Sequence, residues 1–241
     1  MLHHLKYRVI PPALPPRRIM LEIPGWSGDD QPRAGGSVQQ PWHCTPFVEG
    51  ATYGLELIYP FPNPCYVQKV DGEITILGDF GPDPQTGVAW PPIGVFNKQF
   101  YGFNTYTDVK APPGFALRVG THPRFSTDNT ASVPVAVSAH LRSEWWPFVF
   151  FIIFKAPEPG QTHVFRYGEP YAQIVVVPAS AEHQVVAMTE EEAAERELQS
   201  LRIAETRHKL GKSWIAGNGE LGGDGIYRHL RQLTKEVPSQ K

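Results

Sequence analysis

Short stretches of alternating hydrophobic and polar residues fill the first three quarters of the chain, and turn-forming residues interrupt them often. Runs of β-forming residues occupy 52–59, 65–70, 73–77, 115–119, 133–139, 148–155 and 172–177. Asp71-Gly72 between two of these runs suits a two-residue hairpin turn, because both residues tolerate the positive φ of a type I′ turn. Short strands with frequent turn signals and no internal repeat predict a β-sandwich or β-barrel.

Glycine and proline decide the fold class. The 241 residues include 22 Gly and 25 Pro, most of them before residue 180. Proline breaks helices, and an α/β fold needs helical runs between its strands. We therefore predict an all-β domain, a barrel or a jelly roll, over residues 1–188. Two long loops, 24–41 and 78–102, are expected to be functional or mobile.

The pattern changes to that of a helix at Thr189. The segment from Thr189 to Glu192 fits a capping box, in which the threonine and glutamate side chains each bond the other's backbone N–H. A surface helix with a thin apolar stripe should follow to about residue 210, or as far as Trp214. Apolar residues at 226, 230, 233 and 237 predict a short second helix. Residues 189–241 are thus interpreted as a helical extension, serving as a lid or a subunit contact.

Composition narrows the class of protein. Hydrophobic residues make up 41% of the chain, charged residues 19%, and the net charge is −2. The sequence has no cluster of Lys and Arg residues, so binding to nucleic acid is not expected. The most apolar run, 148–154, is much shorter than the roughly 20 residues of a membrane helix, and the first residues do not resemble a secretory signal. Cys44 and Cys65 are too few for a disulfide framework. A reducing cytoplasm is expected, with one bridge between them as the alternative.

Three histidines and a glutamate form the strongest candidate for chemistry. His122, His140, Glu144 and His163 all fall at ends or turns of predicted strands, where the mouth of a barrel would gather them. Imidazoles and a carboxylate are suitable ligands for Fe(II), Zn(II) or Cu(II), and two histidines with one carboxylate form the facial triad of non-haem iron oxygenases. The three histidines would supply nitrogen ligands to the metal, and Glu144 would be the catalytic carboxylate, either binding the metal or orienting one of the histidines. The alternative is that these histidines are only hydrogen-bonded at strand ends.

Aromatic residues near predicted loops suggest a substrate pocket. Trp90, Tyr101, Trp145 and Trp146 could wall a site for a planar or apolar metabolite. Large rings that cap the open ends of a barrel are the other interpretation.

Arg124 is a candidate catalytic residue, because its guanidinium could pair with a ligand carboxylate, or else with a nearby aspartate.

Two resemblances carry expectations about fold and assembly. Residues 111–178, with APPGFALRVG near their start and GEPYAQIVVVP at their end, resemble the β-fold of the dUTPase and dCTP-deaminase superfamily. That resemblance implies a dUTPase-like barrel and a trimer. The superfamily's Arg-Ser-Ser phosphate motif has only Arg142-Ser143-Glu144 as its nearest counterpart, so nucleotide hydrolysis is not implied. The chain also resembles an uncharacterised bacterial family of unknown function, in the strings HPRFSTD, EWWP, FKAPEPGQTHVF and GEPY.

Two functions follow from these observations. The first is a metal-dependent, oxygenase-like enzyme that acts on a small organic metabolite in an aromatic-lined pocket. The second is a non-catalytic, oligomeric binding or accessory protein whose histidines are structural. Both predict a small-molecule ligand and a homo-oligomer, a trimer or a dimer. Substrate, reaction and pathway do not follow from the sequence.

Overall fold

Strands dominate the structure, which confirms the all-β class. The computed structural model describes residues 4–20, 45–82, 92–127, 132–180, 183–210, 213–215, 221–223, 227 and 230. The strands are β1 Lys6–Val9, β2 Arg17–Arg18, β3 Leu55–Ile58, β4 Cys65–Val70, β5 Glu73–Leu77, β6 Ile93–Asn97, β7 Phe100–Asn104, β8 Thr107–Lys110, β9 Phe115–Thr121, β10 Ala139–Leu141, β11 Phe151–Lys155, β12 Thr162–Phe165, β13 Pro170–Pro178, β14 Ser213–Ile215 and β15 Leu221–Gly223. The helices are α1 Thr45–Ala51 and α2 Glu190–Leu210, with a short 3-10 helix at Pro123–Thr127.

The strands pair antiparallel in small sheets. The largest has the order β10-β9-β13-β3-β2, and two three-stranded sheets have the orders β11-β7-β6 and β12-β4-β5. Separate pairs are β1-β8 and β14-β15. The β4–β5 hairpin turns at Asp71 and Gly72, whose φ angles of 51° and 82° agree with the predicted type I′ turn.

An aromatic cluster forms the centre of the core. Its rings are contributed by several sheets, and each of its members is at most 3% exposed: Tyr59, Phe61, Tyr101, Phe103, Phe154, Phe165 and Tyr171. Tyr101 and Phe154 stack with their centroids 5.4 Å apart, and Phe103 lies 4.8 Å from Tyr171. Because burial of large apolar surfaces is the main driving force of folding, these rings bring together strands that are far apart in the sequence.

The chain divides into two compact units. The first, which we call the β-rich unit, contains Met1–Ile23 and Thr52–Ala181 and holds β1 to β13. The second contains Pro24–Ala51 and Glu182–Lys241 and holds α1, α2 and the β14–β15 pair.

Several elements before Thr189 differ from the predicted ones. Part of the predicted loop 78–102 is strand, because β6 and the start of β7 lie there. The predicted strand 133–139 is mostly irregular and is joined to β11 by the Ala136–Phe154 bridge and by backbone hydrogen bonds. Helix α1 was not predicted, since its seven residues contain proline and glycine. The other predicted loop, 24–41, lies outside the described residues.

The C-terminal helix starts and ends as predicted, because α2 spans Glu190–Leu210, but the alternative extension to Trp214 is wrong. The Thr189 N–H donates to Glu192 Oε2 at 2.9 Å, and the Glu192 N–H donates to Thr189 Oγ1 at 3.2 Å, which is the predicted capping box. Trp214 is not helical: it pairs with Gly222 in the β14–β15 hairpin. The predicted second helix lies almost entirely outside the described residues. None of the described helices is long and apolar enough to span a membrane.

Candidate functional site

A buried glutamate lies on β3, between β13 and the edge strand β2 of the five-stranded sheet. In β3, Leu57 belongs to the core, whereas the neighbouring Glu56 points to the opposite face because side chains alternate along a strand. Glu56 is only 1% exposed. A buried carboxylate is costly unless it is paired. Arg17, which faces Glu56 across the β2–β3 pair, provides that pairing by donating from Nε to Oε1 at 2.5 Å.

His122 makes the second bond to this carboxylate. It follows β9, immediately before the 3-10 helix, and is 2% exposed. The backbone N–H of Arg124 donates to His122 Nδ1 at 3.2 Å, so the imidazole proton lies on Nε2. Nε2 therefore donates to Glu56 Oε2 across 3.1 Å. Both nitrogens of His122 are thus occupied within the protein.

Arg124 extends this arrangement toward the surface. Its guanidinium donates to Glu169 Oε2 at 3.3 Å and to the Pro170 carbonyl at 3.4 Å, and it lies 5.3 Å from the centre of the Phe125 ring. We refer to Arg17, Glu56, His122, Arg124 and Glu169 as the Glu56 cluster. The predicted partner aspartate of Arg124, at position 128, lies outside the described residues.

The Glu56 cluster holds the glutamate in its charged form. Burial raises the pKa of Glu56, but hydrogen bonds from His122 and Arg17, together with the charge of Arg17, outweigh the effect of burial. The pKa of Glu56 is therefore lowered from its ordinary value of 4.5. A carboxylate that accepts two directed hydrogen bonds is stabilised in this way. The cluster is a stable internal network with no imidazole nitrogen left for proton transfer or metal binding.

His163 lies in the core and not at an open mouth. It belongs to β12, is 3% exposed, and its Nδ1 is 2.7 Å from the hydroxyl of Tyr101. Burial lowers the pKa of His163 to about 4, so the ring is neutral at neutral pH. Tyr101, which was predicted to wall a substrate pocket, is 0% exposed and packs inside the same aromatic cluster.

The remaining predicted residues lie at the surface. His140 is an exposed residue of β10 and faces Arg118 of β9 in the strand register. Glu144 is bonded to the guanidinium of Arg142. Trp145 is 65% exposed and Trp146 is 39% exposed. Trp90 lies outside the described residues.

The structure brings together only part of the predicted site. His122 and Arg124 share the Glu56 cluster, while the other candidates that the structure describes lie in the core or on the surface. Within the described ranges, no three His, Cys, Asp or Glu side chains form a group that could hold a metal ion. Cys65 is a buried free thiol whose pKa burial raises to about 12, and Cys44 lies outside the described residues. The predicted metal centre therefore has no support in the described part of the chain.

Three members of the Glu56 cluster were missed in the sequence: Arg17, Glu56 and Glu169. A signal existed for one of them, because Glu56 interrupts the apolar strand Leu55–Ile58. A charged residue within an otherwise buried strand indicates a buried ion pair. Its partners could not be identified from spacing, since Arg17 and His122 are 39 and 66 residues away along the chain.

An apolar surface lies on the outer side of the β11-β7-β6 sheet. Ile152 and Phe154 of β11 point into the core, so Phe151 and Ile153 point outward. A Cβ atom added at Gly102 would clash with the side chains of Phe96 and Ile153, so Phe96 lies on the same outward side as Ile153. Phe96 and Phe151 are 58% and 49% exposed, and their rings lie 6.3 Å apart. Ala136 is buried and bridges Phe154, so its neighbours Val135 and Val137 also point outward. We call the surface formed by Phe96, Val135, Val137, Phe151 and Ile153 the outer face.

The comparisons with known proteins do not assign this chain to a family. No protein-family profile matches the chain, and no curated protein matches it. Among solved structures, it is similar to the dUTPase from phage phi11 of S. aureus, with 13% identity and a TM-score of 0.27 over 53% of this chain and 97% of that chain. The assignment to the all-β class rests on the strands described above. The resemblance to an uncharacterised bacterial family stays a prediction.

Proposed function

We propose that the protein is a non-catalytic, oligomeric binding or accessory protein that holds a small molecule on its outer face. The observation that supports this proposal is that the polar side chains of the predicted site are bonded inside the protein, whereas a group of apolar side chains is exposed. His122, Glu56 and Arg124 are bonded to one another or to neighbouring residues inside the β-rich unit. Apolar side chains of the outer face, in contrast, are left in contact with water.

The exposure of the outer face has a physical cost. Val135 and Val137 are 49% and 46% exposed, similar to Phe151. Each apolar Å² left in water costs roughly 25 cal/mol relative to burial. Contiguous exposed apolar surface usually marks a binding site, and the described part of the chain offers a concave region beside it.

The test is binding of a neutral apolar probe. Hexanol should show saturable binding to the full-length protein in ligand-observed NMR. Val137→Asp should weaken that binding at least about tenfold, because a carboxylate would be desolvated by the probe. Val185→Asp is the matched control, since Val185 is 95% exposed and is not one of the outer-face residues. Equal effects of the two substitutions, or no saturable binding, would reject the proposal.

The alternative is a metal-dependent, oxygenase-like enzyme with His122, His140, His163 and Glu144 at its metal. Elemental analysis of protein purified without a histidine tag separates the two functions. We expect less than stoichiometric iron, zinc or copper. Stoichiometric metal that is lost in the His122→Ala and His163→Ala variants would replace the binding proposal with the enzyme.

A further inference from the structure

A cavity opens on the outer face at the end of β11. Its volume is about 540 Å³, within the range of small-ligand sites. Apolar residues form much of its lining, together with four polar side chains: Lys69, Gln99, Lys155 and Glu158. All of these residues belong to the β-rich unit.

The backbone explains why a hollow exists here. Residues 135–137 run beside β11, held by the Lys155 N–H to Val135 carbonyl bond of 3.0 Å and the Val137 N–H to Ile153 carbonyl bond of 2.7 Å. Ala136 and Ala156, which are both buried, form part of the lining with side chains too small to fill the space. Backbone hydrogen bonds to β11 therefore hold one wall of the hollow in place.

The charges that line the cavity do not cancel. Lys155 Nζ is 2.8 Å from Glu158 Oε1, so these two neutralise each other. Lys69, on β4, has no carboxylate within ion-pair distance in the part of the chain that the structure describes. It lies close enough to Glu158 to lower the pKa of that carboxyl, although less strongly than Lys155 does. The cavity thus carries one excess positive charge beside an apolar wall.

We propose that this cavity binds a small monocarboxylate, with its apolar body against Val135, Val137 and Phe100 and its carboxylate at Lys69. This inference rests on the proposed binding function and specifies its ligand class. One uncompensated lysine balances one negative charge, whereas Glu158 at the rim would repel a group with two. An ammonium-to-carboxylate contact next to apolar surface is a charge-assisted hydrogen bond, which is stronger than a neutral one.

The experiment compares three probes that share one hydrocarbon chain: hexanoate, hexanol and hexylamine. Each is titrated into the full-length protein and followed by ligand-observed NMR. We expect hexanoate to bind with a Kd of about 1 mM, a reasonable affinity for so few atoms. Hexanol should bind about tenfold more weakly, and hexylamine more weakly still. Hexanol binding as tightly as hexanoate would overturn the carboxylate assignment while leaving the proposed function standing.

Substitutions locate the charge that is responsible. Lys69→Gln should weaken hexanoate about tenfold and leave hexanol unchanged. Lys98→Gln is the matched control, because Lys98 pairs with Glu73 and does not line the cavity. Glu158→Gln should tighten hexanoate severalfold, since it removes a repelling charge and frees Lys155. This gain cannot result from misfolding.

Two further outcomes would overturn the inference. Equal hexanoate affinity in the Lys69→Gln and Lys98→Gln variants would show that Lys69 is not the counter-ion. Hexyl phosphate binding more tightly than hexanoate would show that the cavity prefers a group with more than one negative charge. If none of the probes binds, the proposed function fails together with this inference.

Discussion

The neutral, buried state of His163 should make the protein lose stability between pH 7 and pH 5. Burial lowers the pKa of His163 from 6.5 to about 4 in the folded protein. In the unfolded chain the ring is solvated and takes up a proton near pH 6.5. The unfolded state therefore binds more protons in this window, and stability falls as the pH falls.

The size of the effect follows from the difference between the two pKa values. One pKa unit corresponds to about 1.4 kcal/mol, so the full difference is worth about 3 kcal/mol. Between pH 7 and pH 5, the part of the window that is easiest to measure, the free energy of unfolding should fall by about 2 kcal/mol. The stability is fully present above pH 6.5 and is lost progressively as the pH approaches 4.

Urea unfolding at pH 7 and pH 5 measures this loss directly. His163→Asn removes the titration and keeps a polar partner for the Tyr101 hydroxyl, which lies 2.7 Å from His163 Nδ1. The variant should be less stable than the wild type at pH 7. Between pH 7 and pH 5, its free energy of unfolding should fall by about 2 kcal/mol less than that of the wild type. His140→Asn, at an exposed position on β10, should leave the loss as it is in the wild type. A loss that is the same in the wild type and in His163→Asn would refute the reasoning.

Four further predictions address the network, the backbone, the helix and the assembly. Glu56→Gln should lower the free energy of unfolding at pH 7 by about 2 kcal/mol, because a buried charged bond is lost; an unchanged urea midpoint would contradict it. Gly54→Ala should destabilise the fold by several kcal/mol more than Gly72→Ala, because φ is positive at both but only at Gly54 would a Cβ lie 2.2 Å from the Ile174 carbonyl oxygen. Thr189→Ala should cost about 1 kcal/mol of helix stability, seen as reduced helical circular dichroism. Light scattering at micromolar concentration should give a dimer or trimer, and a monomer would reject self-association.

Elements that depend on residues close together in the chain could be predicted from the sequence. The Asp71-Gly72 turn and the capping box at Thr189 each depend on residues no more than three positions apart, and both formed as predicted. Strands β4 and β5 begin and end at the predicted residues because that turn separates two runs of β-forming residues. The high content of glycine and proline likewise fixed the all-β class.

The candidate site was much less readable, because its contacts join distant positions. Nothing near His122 in the sequence indicates Glu56, and nothing near His163 indicates that it would enter the core beside Tyr101. The cavity depends on residues 135–137 running along β11, which is an arrangement of the whole sheet. The sequence by itself determined the all-β class, the turn at Asp71-Gly72 and the start of α2, since those features depend on backbone freedom and on neighbouring side chains. Only the tertiary structure decided which polar groups meet and which apolar residues stay exposed, because those contacts require the sheets to pack first.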